Sequence, residues 1–371
     1  VVSGHLALLA EGLDPARGGA ERALRAVAEA LAARDLDVRV YAPADRAGPD
    51  LPRARVVPVP APRLRPRRDL VLSRALARAA RDAGATRVVA CGKLRGADAW
   101  WPHGGVHAAS RAASARAGRA PLLRHVAALG RALRPTEWAL DAIERRIAED
   151  CALGRTRCLA LSQRVARDLA RWHGLASTSI RLVPNGVDPT RFSPGDDREA
   201  LRAQVGAAPG ALVALFVAHA FRLKGLDLLL AAAGRVRQVH VVVAGGDDPR
   251  AGQALAARLG ARATFLGRVA DPVALYRGAD VLGHPSRYDP CSLVVLEALA
   301  CGLPVLASPE DGASELVGDA GLVVRAAEDV AAWADALRAV LDPGARAGMS
   351  SAAAASRRTW DDVAGDLLAA L

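Results

Sequence analysis

Lysine is almost missing from this chain: of its 50 basic residues only Lys93 and Lys224 are lysine, and the rest are arginine. GC-rich coding produces such a bias by turning exchangeable surface lysines into arginines. A lysine that survives it either stands where a guanidinium cannot substitute or survives by chance. Aromatic residues are scarce too, at 4%, so the cores must be filled by Ala, Leu and Val. No apolar run approaches the roughly 18 residues that a membrane-spanning helix needs. The opening VVSGHLALLAEG lacks a basic n-region and a cleavage site, so it reads as a buried first strand, and the expected location is cytoplasmic. The cysteines Cys91, Cys151, Cys158, Cys291 and Cys301 are odd in number and form no C-x-x-C pair. That argues against disulfides and structural zinc and for buried thiols. Neither G-x-G-x-x-G nor G-x-x-x-x-G-K-[ST] occurs, which excludes the dinucleotide fingerprint and the P-loop.

What is present is a globular chain, 51% hydrophobic and 371 residues long, enough for about two domains. Its net charge of +11 is concentrated. PRARVVPVPAPRLRPRR (52–68) and RAASARAGRAPLLRHVAALGRALR (111–134) are arginine-rich and contain no acid. No interleaved aromatics or zinc-finger signature accompanies them, so nucleic acid is a poor partner. An anionic membrane, met through Arg111, Arg116, Arg119, Arg124 and Arg131, or a phosphorylated acceptor fits better. A solvated basic face without a partner is the alternative.

Short apolar runs alternate with amphipathic helices, which predicts parallel α/β layers. HLALLAE, LDVRVYAP, TRVVACG, TRCLALS and SIRLVP read as strands of a first unit. LVALFVAH, VHVVVAGG, ATFLG, DVLGHPS and PVLAS read as strands of a second, with the boundary near 188–200. Two such units in tandem suggest facing sheets with a cleft between them, and the ligands of such sheets bind at the carboxyl ends of the strands.

The chemistry-bearing residues fall at those ends. Gly18 and Gly19, between strand one and its helix, let backbone N–H groups approach an anion. Arg222 and Lys224 precede the helix GLDLLLAAAGRV and could clamp a diphosphate. In RYDPCSLVVLEALACGLPVLAS (287–308), Asp289 precedes a helix that starts near Ser292 and ends at Gly302 and Pro304. Glu297 lies on that helix amid apolar neighbours, and a buried carboxylate there needs a partner, for which ribose hydroxyls are good donors. His103 follows a strand-like segment between glycines, with Lys93 and Asp98 nearby, and is a candidate catalytic residue on an acceptor or sugar side. Asp35 and Asp37 form a D-x-D at the wrong end of a strand and are rejected as a metal site.

Together PNGVDPTRF (184–192), RLKGLDLLL (222–230), VVVAGG (241–246), DPCSLVVLEALACGLPV (289–305) and the closing TWDDVAGDLLAAL resemble family 4 retaining glycosyltransferases over nearly the whole chain. GGAERA (18–23), CGKLRGADAWWPHGGVH (91–107) and HAFRLKG make the sequence most similar to the lipopolysaccharide core enzymes. The resemblance implies a GT-B fold, α/β, with two Rossmann-like domains at 1–190 and 191–355, a helix 356–371 crossing back to the first, and an active site between the halves. It implies that Lys224 and Arg222 neutralise a donor diphosphate, Glu297 binds ribose, and Asp289 holds the transferred sugar. N–H groups of Gly19, Ser292, Leu293 and Val294 would meet sugar and phosphate oxygens, with Gly267 and Arg268 against the base. No metal or other cofactor is implied, because protein cations act at the leaving group. The sequence departs from the family pattern at Asp289, where glutamate is usual, at Cys291-Ser292, where Phe-Gly is usual, and at His219, where arginine is usual.

The expected function is therefore retaining, metal-independent transfer of a hexose from a nucleotide sugar to an envelope glycolipid or lipopolysaccharide core, peripheral to the inner membrane face. No pair of carboxylates forms a double-displacement arrangement. The alternatives are a mannosyltransferase of another polysaccharide, a nucleotide-sugar epimerase, and a non-catalytic nucleotide-sugar-binding scaffold.

Overall fold

The computed structural model describes residues 4–61, 67–117, 135–355 and 357–371. Along the chain the elements are β1 (His5–Leu9), α1 (Gly19–Ala32), β2 (Val38–Pro43), β3 (Arg55–Val59), α2 (Arg67–Asp82), β4 (Ala85–Ala90), β5 (Ala99–Trp100), α3 (His107–Arg116), α4 (Pro135–Ala152), β6 (Arg157–Ala160), α5 (Gln163–His173) and β7 (Ile180–Leu182). They continue as α6 (Arg198–Val205), β8 (Leu212–Val217), α7 (Leu226–Ala233), β9 (Val239–Ala244), α8 (Arg250–Leu259), β10 (Arg262–Gly267), α9 (Val273–Gly278), β11 (Val281–His284), α10 (Leu293–Ala300), β12 (Val305–Ala307), β13 (Gly321–Val323), α11 (Val330–Ala339), α12 (Pro343–Ala355) and α13 (Trp360–Ala370).

The fold is α/β with two Rossmann-like units. The first holds the described residues up to Ala115 and from Pro135 to Gly186, together with Trp360–Leu371; the second is Val187–Thr359 with Arg116 and Ala117. In the first unit a seven-stranded sheet runs β3-β2-β1-β4-β5-β6-β7, and in the second a six-stranded sheet runs β10-β9-β8-β11-β12-β13. Every pairing is parallel.

The sequence dictates this locally. Strands LVALFV and VHVVVA are apolar almost without interruption because helices cover both faces of a parallel sheet. Helix α1 buries Leu24, Val27, Ala28 and Leu31, an i, i+3, i+4, i+7 stripe. Its far end is tied to α13, where Arg34 Nε donates to Asp361 Oδ1 at 2.7 Å. In the second unit Leu229 and Leu230 of α7, Phe216 of β8, Val241 of β9 and Trp333 of α11 share one core.

The structure adds strands that the pattern did not reveal. β3 lies inside the basic stretch 52–68, and as the edge strand it tolerates Pro58, whose missing N–H costs nothing on an open side. β5 and β13 are too short to show periodicity. Of the expected membrane-facing arginines, Arg119, Arg124 and Arg131 lie outside the described residues. Arg111 donates to Asp141 at 2.6 Å. Among the described residues no helix is long and apolar enough to cross a membrane.

Candidate active site

In each sheet the strand order reverses once, between β1 and β4 and between β8 and β11. Adjacent connections leave in opposite directions there and open a crevice at the carboxyl ends of the strands. The crevice of the second unit is built from the segments after β8 (218–225) and after β11 (285–292). That of the first is built from the segments after β1 (10–18) and after β4 (91–96).

In the second unit the segment after β8 is held by hydrogen bonds and by one close backbone contact. Phe221 N–H donates to Asp247 Oδ2 at 2.9 Å. Gly225 has φ 78°, and a Cβ there would lie 2.0 Å from the Pro285 carbonyl oxygen, so only glycine fits. The buried Arg287 guanidinium donates to both oxygens of Asp227, to both of Glu328 and to the Arg222 carbonyl, and its N–H meets the Leu223 carbonyl. Lys224 follows, and its Nζ donates to Asp289 Oδ2 at 2.6 Å and to the Tyr288 carbonyl at 2.9 Å. Asp289 is also bridged through its backbone to the segment before β13: its N–H meets the Glu310 carbonyl, and its carbonyl accepts from Gly312 N–H.

Behind this pair lies a polar knot that the sequence did not announce. Asp311, with no exposed surface, accepts from Ser292 Oγ at 2.5 Å, Ser292 N–H at 3.2 Å and Ala313 N–H at 2.9 Å. His284 Nε2 lies 3.4 Å from Asp311 and 3.9 Å from Asp289, yet neither ring nitrogen makes a hydrogen bond. Ser292 is the N-cap residue of α10, so Leu293 and Val294 open the first turn. One turn further, Glu297 is buried and its Oε2 accepts from the buried Tyr276 hydroxyl at 2.7 Å. Tyr276 thus supplies a partner that the sequence reading sought in a ribose.

Arg222 and Lys224 were expected to form one clamp, but the structure gives them different surroundings. Lys224 meets Asp289. Arg222 is exposed and lines a groove of about 520 Å³ between α7 and α8, with Asp247, Asp248 and Arg258. Arg268 is exposed just beyond Gly267 (φ 68°), beside Gly246, whose Cβ position lies 3.3 Å from the guanidinium.

In the first unit, Gly18 is the N-cap position of α1 and provides no side-chain cap, so the N–H groups from Gly19 onward open the helix. Glu11, just past β1, accepts from Lys93 N–H at 2.6 Å and holds the turn after β4. His103 packs edge-on against Trp101, with ring centroids 4.2 Å apart. It is 7% exposed, and neither ring nitrogen has a hydrogen-bond partner. With Glu11, Glu21, Lys93 and Gly105 it lines a cavity of about 110 Å³. A buried polar ring with no partner, facing a cavity, is one that a ligand can satisfy. Asp98 does not join it: one oxygen accepts from Val88 N–H at 2.8 Å and the other from Arg81 at 2.6 Å, so this carboxylate ties strand to helix. Its grouping with His103 is corrected accordingly.

Two family models match the chain. "Glycosyltransferase Family 4" covers residues 17–191, and "Glycosyl transferases group 1" covers residues 211–343. Between them they take in the whole second sheet with its crevice and the first unit from the start of α1 to β7, while β1 and most of the segment after it precede the match. Each unit of the chain is thus matched to a glycosyltransferase family model, the first unit to family 4. Among curated relatives, the D-inositol 3-phosphate glycosyltransferase of Nocardia farcinica is 37% identical over 252 residues, which are 62% of this chain and 55% of that protein. The chain spans about half the length of the curated relatives it matches. Among solved structures, WaaG, a glycosyltransferase involved in lipopolysaccharide biosynthesis, superposes with a TM-score of 0.77 at 24% identity over 98% of both chains. Sucrose-phosphate synthase from Thermosynechococcus elongatus gives 0.77 at 23% over 99% of this chain and 98% of that one. At these identities the structural likeness establishes the GT-B fold.

The electrostatics of the two crevices follow from burial. Burial, and then the neighbouring Asp289 carboxylate, push the Asp311 carboxyl up to about 7, against the donors from Ser292 and Ala313 and the charge of Lys224. Burial, and then Lys224, push the His284 imidazole down to about 4, against the pull of Asp289. Burial alone pushes His103 down to about 4. Both imidazoles are neutral at neutral pH. The second-unit crevice therefore presents one ammonium, one helix N-terminus and two carboxylates at Asp289 and Glu297: an anion site beside two hydroxyl acceptors. Sequence reasoning missed His284, Asp311, Tyr276, Arg287 and Glu11. A signal existed for two of them, since His284 closes the apolar run DVLGHPS and Glu11 closes LLAE, polar residues at strand ends beside a switch point.

Proposed function

We propose that this chain transfers a hexose from a nucleotide diphosphate sugar to a hydroxyl of a phosphorylated polyol or saccharide, with retention at the anomeric carbon and without a metal. The observation that carries the reading is the second-unit crevice, where Lys224, the uncapped start of α10, Asp289 and Glu297 combine anion and hydroxyl recognition. Lys224 would neutralise the diphosphate, with N–H groups at Leu293 and Val294 on its oxygens. Glu297, oriented by Tyr276, would take the ribose, and Arg268 would lie by the base. Arg222 would act at the rim as a second cation. The first unit contributes Gly18, Gly19 and the His103 cavity, with Lys93 on the acceptor or sugar side. In the reaction the acceptor oxygen bonds to the anomeric carbon as the bond from that carbon to the phosphate oxygen breaks. The nucleoside diphosphate leaves, and the acceptor proton passes to a leaving phosphate oxygen. Asp289 stays on the sugar hydroxyls as positive charge develops.

For the acceptor, likeness to the inositol 3-phosphate enzymes favours a small phosphorylated polyol. The second reading, a glycolipid of the lipopolysaccharide core at a membrane surface, is favoured by the motifs around 91–107 and by the basic segments. The test is a thermal-shift screen of UDP-, GDP- and ADP-sugars, since ligand binding raises stability with ln(1 + [L]/Kd). Nucleotide release is then measured with D-inositol 3-phosphate and with a lipid-linked saccharide. A flat screen across all nucleotide sugars would overturn the proposal. Release with the lipid-linked saccharide alone would select the second acceptor.

A further inference from the structure

Serine at an N-cap normally turns its hydroxyl back to accept from the second or third N–H of its helix, which for Ser292 means Val294 or Val295. Here it does not. Ser292 stands at the N-cap of α10 with extended backbone angles, φ −68° and ψ 131°, but makes no cap hydrogen bond. Its hydroxyl instead donates to Asp311 Oδ2, and its N–H is taken by Asp311 Oδ1. Asp311 lies 19 residues on, fully buried, and is fixed because it also caps the 3₁₀ turn Gly312–Leu316 through Ala313 N–H. The backbone bridge between Asp289 and Asp311 sets the distance between the two segments. The first-turn N–H groups of a helix have no intrahelical acceptor, so diverting the serine leaves those of α10 open.

We propose that Asp311 is a positioning residue that holds Ser292 away from its own helix, so that the first-turn N–H groups of α10 stay free for oxygens of the nucleotide sugar. The inference rests on the reading of this crevice as the donor site. Asp311 touches no ligand itself and acts only through Ser292. His284 supports the assignment: its buried ring has both nitrogens unsatisfied, 3.4 Å from Asp311 and 3.9 Å from Asp289, and a polar group of a ligand can satisfy such a ring. The groups that face Asp311 are His284 from β11, Asp289 and Ser292 from the segment before α10, and Lys224 from the segment after β8.

Without Asp311 the freed hydroxyl caps α10 and competes with the ligand. A cap of about 1 kcal/mol corresponds to about fivefold in affinity. The test uses whichever of UDP-glucose, UDP-N-acetylglucosamine, GDP-mannose and ADP-glucose raises the melting temperature of the wild type, with Kd then measured by calorimetry. Asp311→Ala weakens binding about fivefold, and the double variant Asp311→Ala/Ser292→Ala, which has no hydroxyl to compete, returns to within about threefold of wild type. Asp311→Asn keeps an acceptor for both N–H groups and donates to the serine hydroxyl, so it also stays within about threefold. Should Asp311→Ala fail to fold, Asp311→Ser keeps the Ala313 cap but cannot reach Ser292, and it serves in the same pair of measurements. If the double variant is as weak as the single one, Asp311 is only a support, and the inference falls while the donor-site reading stands. If no nucleotide sugar shifts the wild type, the donor-site reading falls and takes the inference with it.

Discussion

Replacing Arg287 by lysine keeps the charge and removes the shape, and it tests what fastens the crevice of the second unit. The side chain is 5% exposed and makes five hydrogen bonds, two to Asp227 (2.7 and 2.9 Å), two to Glu328 (2.8 and 3.2 Å) and one to the Arg222 carbonyl (2.7 Å). A planar fork satisfies these directions at once, whereas an ammonium has three donors on one atom and cannot reach two carboxylates and a carbonyl together. Breaking a fully buried pair costs about 3–5 kcal/mol. Here Asp227 is 33% and Glu328 58% exposed, so both recover water, and the expected loss is smaller, about 2 kcal/mol.

For a unit of this size, about 2 kcal/mol lowers Tm by roughly 4–8 °C. Differential scanning calorimetry of Arg287→Lys measures it directly. The control is Arg250→Lys. Arg250 makes three hydrogen bonds to Asp248 but is 87% exposed, so no measurable shift is expected. Because Arg287 holds the Arg222 and Leu223 carbonyls just before Lys224, nucleotide-sugar affinity should fall with stability. If Arg287→Lys melts with the wild type while Arg250→Lys does not, burial is not what makes the first network matter.

Two further expectations follow from the site. Lys224→Arg should lower turnover at least about tenfold, because the longer planar group cannot occupy the point between Asp289 Oδ2 and the Tyr288 carbonyl without displacing one of them; unchanged steady-state kinetics would refute this. His103, neutral because burial holds it near 4, contributes stability that is present above the unfolded value of about 6.5 and is lost as pH falls through 4, about 3 kcal/mol in all. Urea midpoints of wild type and His103→Gln should therefore converge on acidification from pH 7 to 4.5, and a constant gap between them would contradict the assignment.

The parallel α/β class was legible because central strands such as LVALFV and VHVVVA carry their burial on both faces in composition alone. The stretch 287–308 was legible for a related reason: a turn, an apolar helix interrupted by Glu297 and a Gly–Pro stop are local features. β3 was hidden because an edge strand has an open side and needs no continuous apolar run. Asp311 was hidden because SPEDGAS reads as an ordinary acidic loop. Its meaning comes only from Ser292, 19 residues upstream, and from His284 on the neighbouring strand. Such roles arise between segments, and no window of sequence contains them.

The scarcity of lysine is informative only when joined to the count and direction of acceptors. Lys224 meets two acceptors from one side, a carboxylate oxygen and a carbonyl, which one compact ammonium satisfies. Arg287 meets five bonds spread around a plane, which only a guanidinium spans. Each identity is thus fixed by its surroundings, Lys224 against the coding bias and Arg287 in line with it. Lys93 differs from both. Its N–H is bound by Glu11, a contact that any residue other than proline makes, so rarity gives its side chain no role by itself. What distinguishes its place is the cavity it lines with Glu11 and the unsatisfied ring of His103. An arginine at 93 would keep the backbone contact with Glu11 and line the same cavity, which makes the position less dependent on lysine than 224, where an extra atom of reach displaces Asp289.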